Sequence, residues 1–147
     1  MSTPLWEEVE RWRAAYGVRT RRGVTDSNIR ETERQIGDLP VALRDLYKVT
    51  NGISLNSFRI FPLFDSSDPK KTWDSLQRMN DRASSRYLNR DEELFARFII
   101  FAEIGGGDCA ALDRVDQSLW YEEAGELYQT DLDVVSFIET SLLEQGG

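Results

Sequence analysis

Carboxylates outnumber every other group in this sequence that could do chemistry, and three of them, Glu122, Glu123 and Glu126, share one five-residue stretch, EEAGE. Two such groups could act as a general acid and base, and three could hold a hard cation. Neither use fits. The stretch reads as an exposed turn around Gly125, without the apolar pocket that shifts a catalytic carboxyl. It also lacks the alternating ligand spacing of a calcium loop. The run Gly105-Gly106-Gly107-Asp108 invites a phosphate-loop reading, because glycines let backbone N–H groups approach an anion. No G-x-x-x-x-G-K-[ST] is present, no lysine follows Lys71, and an aspartate repels phosphate, so a tight hairpin turn is predicted instead.

The single cysteine, Cys109, sits beside Asp108, whose charge raises a thiol pKa. It is read as a small core residue on a strand rather than a nucleophile. One cysteine allows no internal disulfide and fits a reducing compartment. Histidine is absent altogether, which removes the commonest neutral-pH base and metal ligand and makes a Ser-His or Cys-His pair impossible. No catalytic residue, cofactor or metal is predicted, and the composition points away from enzymes.

Binding is the remaining use for the acidic groups. The net charge is −8, but residues 101–147 hold one base, Arg114, against eleven acids, while residues 1–100 are slightly basic. Such asymmetry speaks of partners rather than of fold. The candidate partner-binding residues are Glu122, Glu123, Glu126, Asp131 and Asp133, with Asp113 and Asp116 as neighbours. Trp120 or Tyr121 is the aromatic anchor, since alternation along a strand turns one of the two outward. Arg19, Arg21 and Arg22 form a short basic segment, read as a solvated loop pairing with nearby carboxylates rather than as a nucleic-acid contact.

The elements that must position these residues are legible from spacing. Leu5, Val9, Trp12 and Tyr16 mark a first helix, with Thr3 as N-cap, Pro4 at its first position and Gly17 as terminator. A second runs from Thr25 or Asp26 to Gly37. A third starts near Pro40 behind an Asp38 cap and closes at Asn51-Gly52. Phe58, Ile60 and Phe61 read as a short strand stopped by Pro62. Trp73, Leu76 and Met79 suit a fourth helix, and Trp6, Trp12 and Trp73 are read as core. Residues 80–93 are almost wholly polar and are expected to be the most mobile stretch, with a short helix near 91–97. Phe98–Ala102 is the candidate central strand, Cys109–Leu112 its hairpin partner, and Ser118–Tyr121 and Leu127–Gln129 two further strands. Asp131 or Asp133 caps a last helix carrying Val134, Phe137, Ile138 and Leu142. Helices followed by a strand meander and a closing helix predict one α+β domain over residues 1–147, with N-terminal helices and a C-terminal helix on a mainly antiparallel sheet.

The ordered pattern of Ile29, Glu33, Ile36-Gly37, Leu39-Pro40, Leu43, Leu46-Tyr47 and Asn51-Gly52 resembles the SUKH superfamily. It continues through Phe61-Pro62-Leu63, Trp73, residues 99–113 (IIFAEIGGGDCAALD) and Ser136-Phe137. That superfamily includes bacterial immunity proteins and fungal cell-wall assembly regulators. The resemblance implies a SUKH-like fold and a non-catalytic protein that binds and neutralises a cognate polymorphic toxin. A regulatory or scaffolding module is the alternative. A toxin acting on nucleic acid needs a basic surface, which an acidic inhibitor complements, so the expected partner is a basic toxin domain, with no direct nucleic acid and no membrane. The N-terminal MSTPLWEEVERW lacks the basic and apolar regions of a signal peptide, so a cytoplasmic location is expected.

Overall fold

A computed structural model describes residues 3–88 and 90–146. Among these, six helices and seven strands follow in the order α1 (Leu5–Tyr16), β1 (Arg19–Arg22), α2 (Asp26–Ile36), α3 (Val41–Val49), β2 (Thr50–Leu55), β3 (Phe58–Ile60), α4 (Leu76–Met79), α5 (Glu92–Arg97), β4 (Phe98–Gly105), β5 (Asp108–Asp113), β6 (Leu119–Glu123), β7 (Glu126–Gln129) and α6 (Val134–Gly146). The strands form one sheet in sequence order, β1 to β7, every neighbouring pair antiparallel. This is the α+β architecture expected from the order of elements.

The long apolar run starting at Phe98 is the sheet's centre. Alternation along β4 sends Ile99 and Phe101 to one core and Phe98 and Ile100 to another. On the first side α1, α2, α3 and α6 deliver Trp12, Ile29, Leu43, Leu46 and Phe137, all buried. Phe137 anchors α6 edge-on to Phe58, Phe101 and Tyr121, at centroid separations of 5.3–5.8 Å. Ala102 and Ala110, opposite each other, leave room for that ring. The second side is covered by the segment between β3 and β4, which packs Met79, Tyr87, Leu88, Leu94 and Phe95 onto the strands.

Several local expectations change. Arg19–Arg22 is the strand β1, not a loop: β2 begins directly where α3 ends and offers a pairing edge, which overrides the weak strand propensity of RTRR. Asn51-Gly52 lies inside β2 rather than ending α3, which stops at Val49. The buried Asn51 side chain accepts from the Leu63 N–H (2.7 Å) and donates to the Leu63 carbonyl (3.1 Å), pinning the chain that leaves β3. Gly52 is required at φ 97°, where a Cβ would meet the Ile60 carbonyl oxygen at 3.0 Å.

Asp38 caps nothing. The Leu39 N–H is satisfied by Glu33 (2.8 Å), which also receives Arg44 (3.1 Å). Pro40 and Pro4 occupy the cap positions of α3 and α1, so Thr3 lies one residue before the cap expected of it. Thr25 caps α2 through the Asn28 N–H. Trp12 is core, but Trp6 and Trp73 are each 58% exposed. Residues 80–93, Asn89 aside as outside the described residues, are packed as a strap over the sheet, because Tyr87 and Leu88 are buried apolar anchors in an otherwise polar stretch.

Candidate functional site

Directly opposed residues of an antiparallel pair project to the same side, so the register sorts side chains into rows across the sheet. One row on the helical side ends Ala110, Tyr121, Tyr128. A row on the strap side runs Arg19, Ser54, Arg59, Glu103, Cys109, Glu122, Leu127, basic at the β1 edge and acidic from β4 onward.

The strap, together with α5 behind it, answers the acids on this face of the sheet. Arg86 binds Glu103 (3.0 Å), Arg90 binds Glu122 (2.6 Å), and Arg97 binds Asp113 (2.8 Å). Tyr87 adds a hydroxyl donor to Glu103 (2.9 Å). Asp113 is 4% exposed and also accepts from the Val115 and Asp116 N–H groups. Burial pushes its pKa up, but the Arg97 bond and the two backbone donors outweigh this and leave it below the usual carboxylate value. Cys109 lies under the strap with its Sγ 4.0 Å from Glu122. Burial first, then Glu122 and Asp108, raise the thiol far above its ordinary pKa, which makes it inert. On the helical side Glu139 of α6 is taken up by Arg11, the Trp12 indole N–H (3.0 Å) and the Tyr16 hydroxyl (3.2 Å). The bond from Arg11 leads the causes that lower its pKa.

Other acids of the last third have no cation. Asp108, Asp116, Glu123, Glu126, Asp131, Asp133 and Glu144 form no ion pair with any described residue. Asp108, Asp116 and Asp133 accept local backbone N–H groups, of Ala124, Ser118 and Ser136 respectively. Glu123 and Glu126 stand directly opposite each other on the β6–β7 hairpin. Two like charges in that position oppose folding, and nothing among the described residues offsets them.

Beside them Tyr121 packs edge-on against Tyr128 (5.7 Å) and Phe137 (5.8 Å). Its pKa is pushed up to about 12 by burial, then by Glu144 and Glu123. Tyr128 remains 43% exposed, and Leu143 is exposed nearby in sequence to Glu144. The hairpin thus places acids without an ion pair beside one half-buried and one exposed tyrosine.

The structure therefore divides the residues singled out from sequence. Glu123 and Glu126 stand together, and Asp131 and Asp133 are exposed where β7 hands over to α6. Asp116 is exposed in the β5–β6 turn. Tyr121 is half-buried at the centre of the rim. Glu122 and Asp113 are corrected: both face the strap and are sealed by Arg90 and Arg97, so neither belongs to an exposed face. Trp120 is half-buried on that same side, edge-on to Phe98 with Arg97 over its ring (4.8 Å). Arg21 pairs with Asp65 and Asp68, not with the C-terminal acids. Tyr128 and Glu144 were not singled out from sequence. Tyr128 was within reach, because a two-residue turn at Ala124-Gly125, both at positive φ, forces Tyr121 opposite Tyr128.

Among the described residues no group of three or more His, Cys, Asp or Glu is placed to hold a metal ion. No described helix is long and apolar enough to cross a membrane. No curated protein and no solved structure matches the chain. A family model does, over residues 23–140, which takes in α2, α3, the strands β2 to β7 and the start of α6. With well over half its length matched, the chain belongs to the SMI1 / KNR4 family (SUKH-1).

Proposed function

We propose that this chain is a non-catalytic immunity protein that binds and neutralises a cognate toxin domain through the acidic rim of the β6–β7 hairpin. The contact residues are Glu123, Glu126 and Glu144 around Tyr121 and Tyr128, extended along the same edge by Asp131 and Asp133. The observation that carries this reading is the opposed, uncompensated pair Glu123 and Glu126 beside an exposed tyrosine. A cationic partner relieves that repulsion on binding, so the unfavourable free-state term becomes part of the affinity. A toxin that acts on nucleic acid presents such a cationic surface, because it must hold phosphates. The strap-side acids are already neutralised internally and contribute fold rather than recognition.

The test is co-expression with a toxic domain, should the neighbouring reading frame encode one. Wild-type protein restores growth. A Glu123→Lys/Glu126→Lys variant that folds normally fails to restore it at matched abundance. Rescue by the variant equal to wild type overturns the assignment of the rim.

A second reading, a regulatory module that holds more than one partner, draws on a separate surface. Trp73 and Phe64 are exposed at a hollow of about 510 Å³ that also involves Ile36 and Arg78, and the Arg78 guanidinium lies 4.8 Å over the Trp73 ring. Exposed Trp beside Arg is a common binding anchor. Capture of several unrelated partners abolished by Trp73→Ala, with the hairpin intact, favours that reading.

A further inference from the structure

At the opposite edge of the sheet from the acidic rim, the chain leaves β3 across β1 and β2 and encloses a hollow of about 560 Å³. That volume lies within the range of small-molecule sites, roughly 300–1,000 Å³. Its lining includes five cations, Arg13, Arg19, Arg21, Arg59 and Lys71, and no carboxylate. In a chain of net charge −8 this is a local reversal of sign.

The register explains how it arises. Arg19 is opposite Ser54, and Ser54 is opposite Arg59, so all three project to the strap side. The connector after Pro62 then fixes two of the cations. Asp65 and Asp68 hold Arg21 (3.5 and 2.8 Å), and Asp74 holds Arg59 (3.4 Å). Arg13 is paired with Glu10 on its own helix (3.0 Å). Arg19 and Lys71 form no ion pair with any described residue.

Gly52 contributes no side chain to the hollow, and Pro62 supplies an apolar wall.

We propose that this hollow binds a small phosphate ester, with the phosphate held between Arg19 and Lys71. Guanidinium groups suit phosphate because their planar N–H forks match its oxygens. Three of the five cations are already paired, so Arg19 and Lys71 supply the positive field of this partly enclosed space, which favours a compact, multiply charged anion over a monovalent one. The hollow spans β1 to β3, and its nearest strand lies four strand spacings from β7, about 19 Å at ~4.8 Å per strand. Loss of binding here and loss of docking at the hairpin are therefore separable.

The experiment is an isotope-edited NMR titration at low salt with inorganic pyrophosphate and with ADP, using adenosine and acetate as controls. Saturable one-site binding of both phosphates is expected, with shifts confined to residues 18–21, 52–54, 59–62 and the neighbourhood of Lys71. Arg19→Gln/Lys71→Gln, two exposed positions that make no ion pair, is expected to keep the fold and weaken binding at least tenfold. Arg30→Gln, exposed on α2 and equally without an ion pair, is expected to leave it unchanged. Absence of saturable binding to the folded wild type overturns the proposal. So does acetate binding as tightly as pyrophosphate, or equal weakening by Arg30→Gln, since either reduces the effect to general charge screening.

Discussion

Glu122 and Glu123 are adjacent in sequence, yet one is locked against Arg90 under the strap and the other stands unpaired at the hairpin rim. Strand alternation alone separates them, and composition cannot see that separation. Counting charge over residues 101–147 treats all eleven acids alike, whereas Glu103, Asp113, Glu122 and Glu139 are used inside the molecule. Cys109 was legible because a flanking aspartate and an apolar strand point the same way. Trp6 and Trp73 were not, because an aromatic at helical spacing looks the same whether its helix face is covered or bare.

Asp113 gives the clearest titration at this scale. Its folded pKa lies below its unfolded value, so the fold favours the ionised form. The stability it contributes is complete above the unfolded pKa, about 3.9, and is lost as pH falls through the lower folded value. Asp113→Asn should cost about 1–3 kcal/mol at pH 7, because it weakens hydrogen bonds to a buried charge. Urea unfolding at pH 7, 5, 4 and 3 should show the gap between the two proteins narrowing as the pH drops. A gap constant with pH contradicts the role given to Asp113.

Among the elements, the strap departs most from its sequence. A polar stretch reads as solvated loop, but here its arginines at 86, 90 and 97 meet carboxylates of β4, β6 and β5, with Tyr87 and Leu88 as buried pegs. The pairing is long-range in sequence, so no local pattern reveals it. The same holds for β1, which exists because β2 is beside it. Helices α1, α2, α3 and α6, by contrast, declare themselves through apolar spacing within a single element.

If the strap is fastened by its ion pairs, Arg90→Ala should destabilise by about 1–3 kcal/mol, because Glu122 is left buried without its partner. Adding Glu122→Gln in that background should recover part of the loss, since a neutral amide is cheaper to bury. Equal instability of the single and double variants under urea would show that the strap is held by Tyr87 and Leu88 alone.

At the scale of the whole molecule, a seven-stranded meander carries charge of one sign to one edge and the opposite sign to the other. On the strap face the connector pairs with Arg21 and Arg59 and the strap with Glu103 and Glu122, whereas the acidic rim lies on the helical face at the β7 edge. Under the proposed function the acidic end docks a basic toxin domain, and long-range attraction there would raise the encounter rate more than the final affinity. The most direct measurement is the association rate constant for that toxin domain as a function of ionic strength, for wild type and Glu123→Lys/Glu126→Lys. The reversal should slow association at low salt by about tenfold or more and flatten its salt dependence, while the folded stability rises or stays level. Association that is equally fast and equally salt-sensitive in both proteins would contradict docking through the hairpin rim.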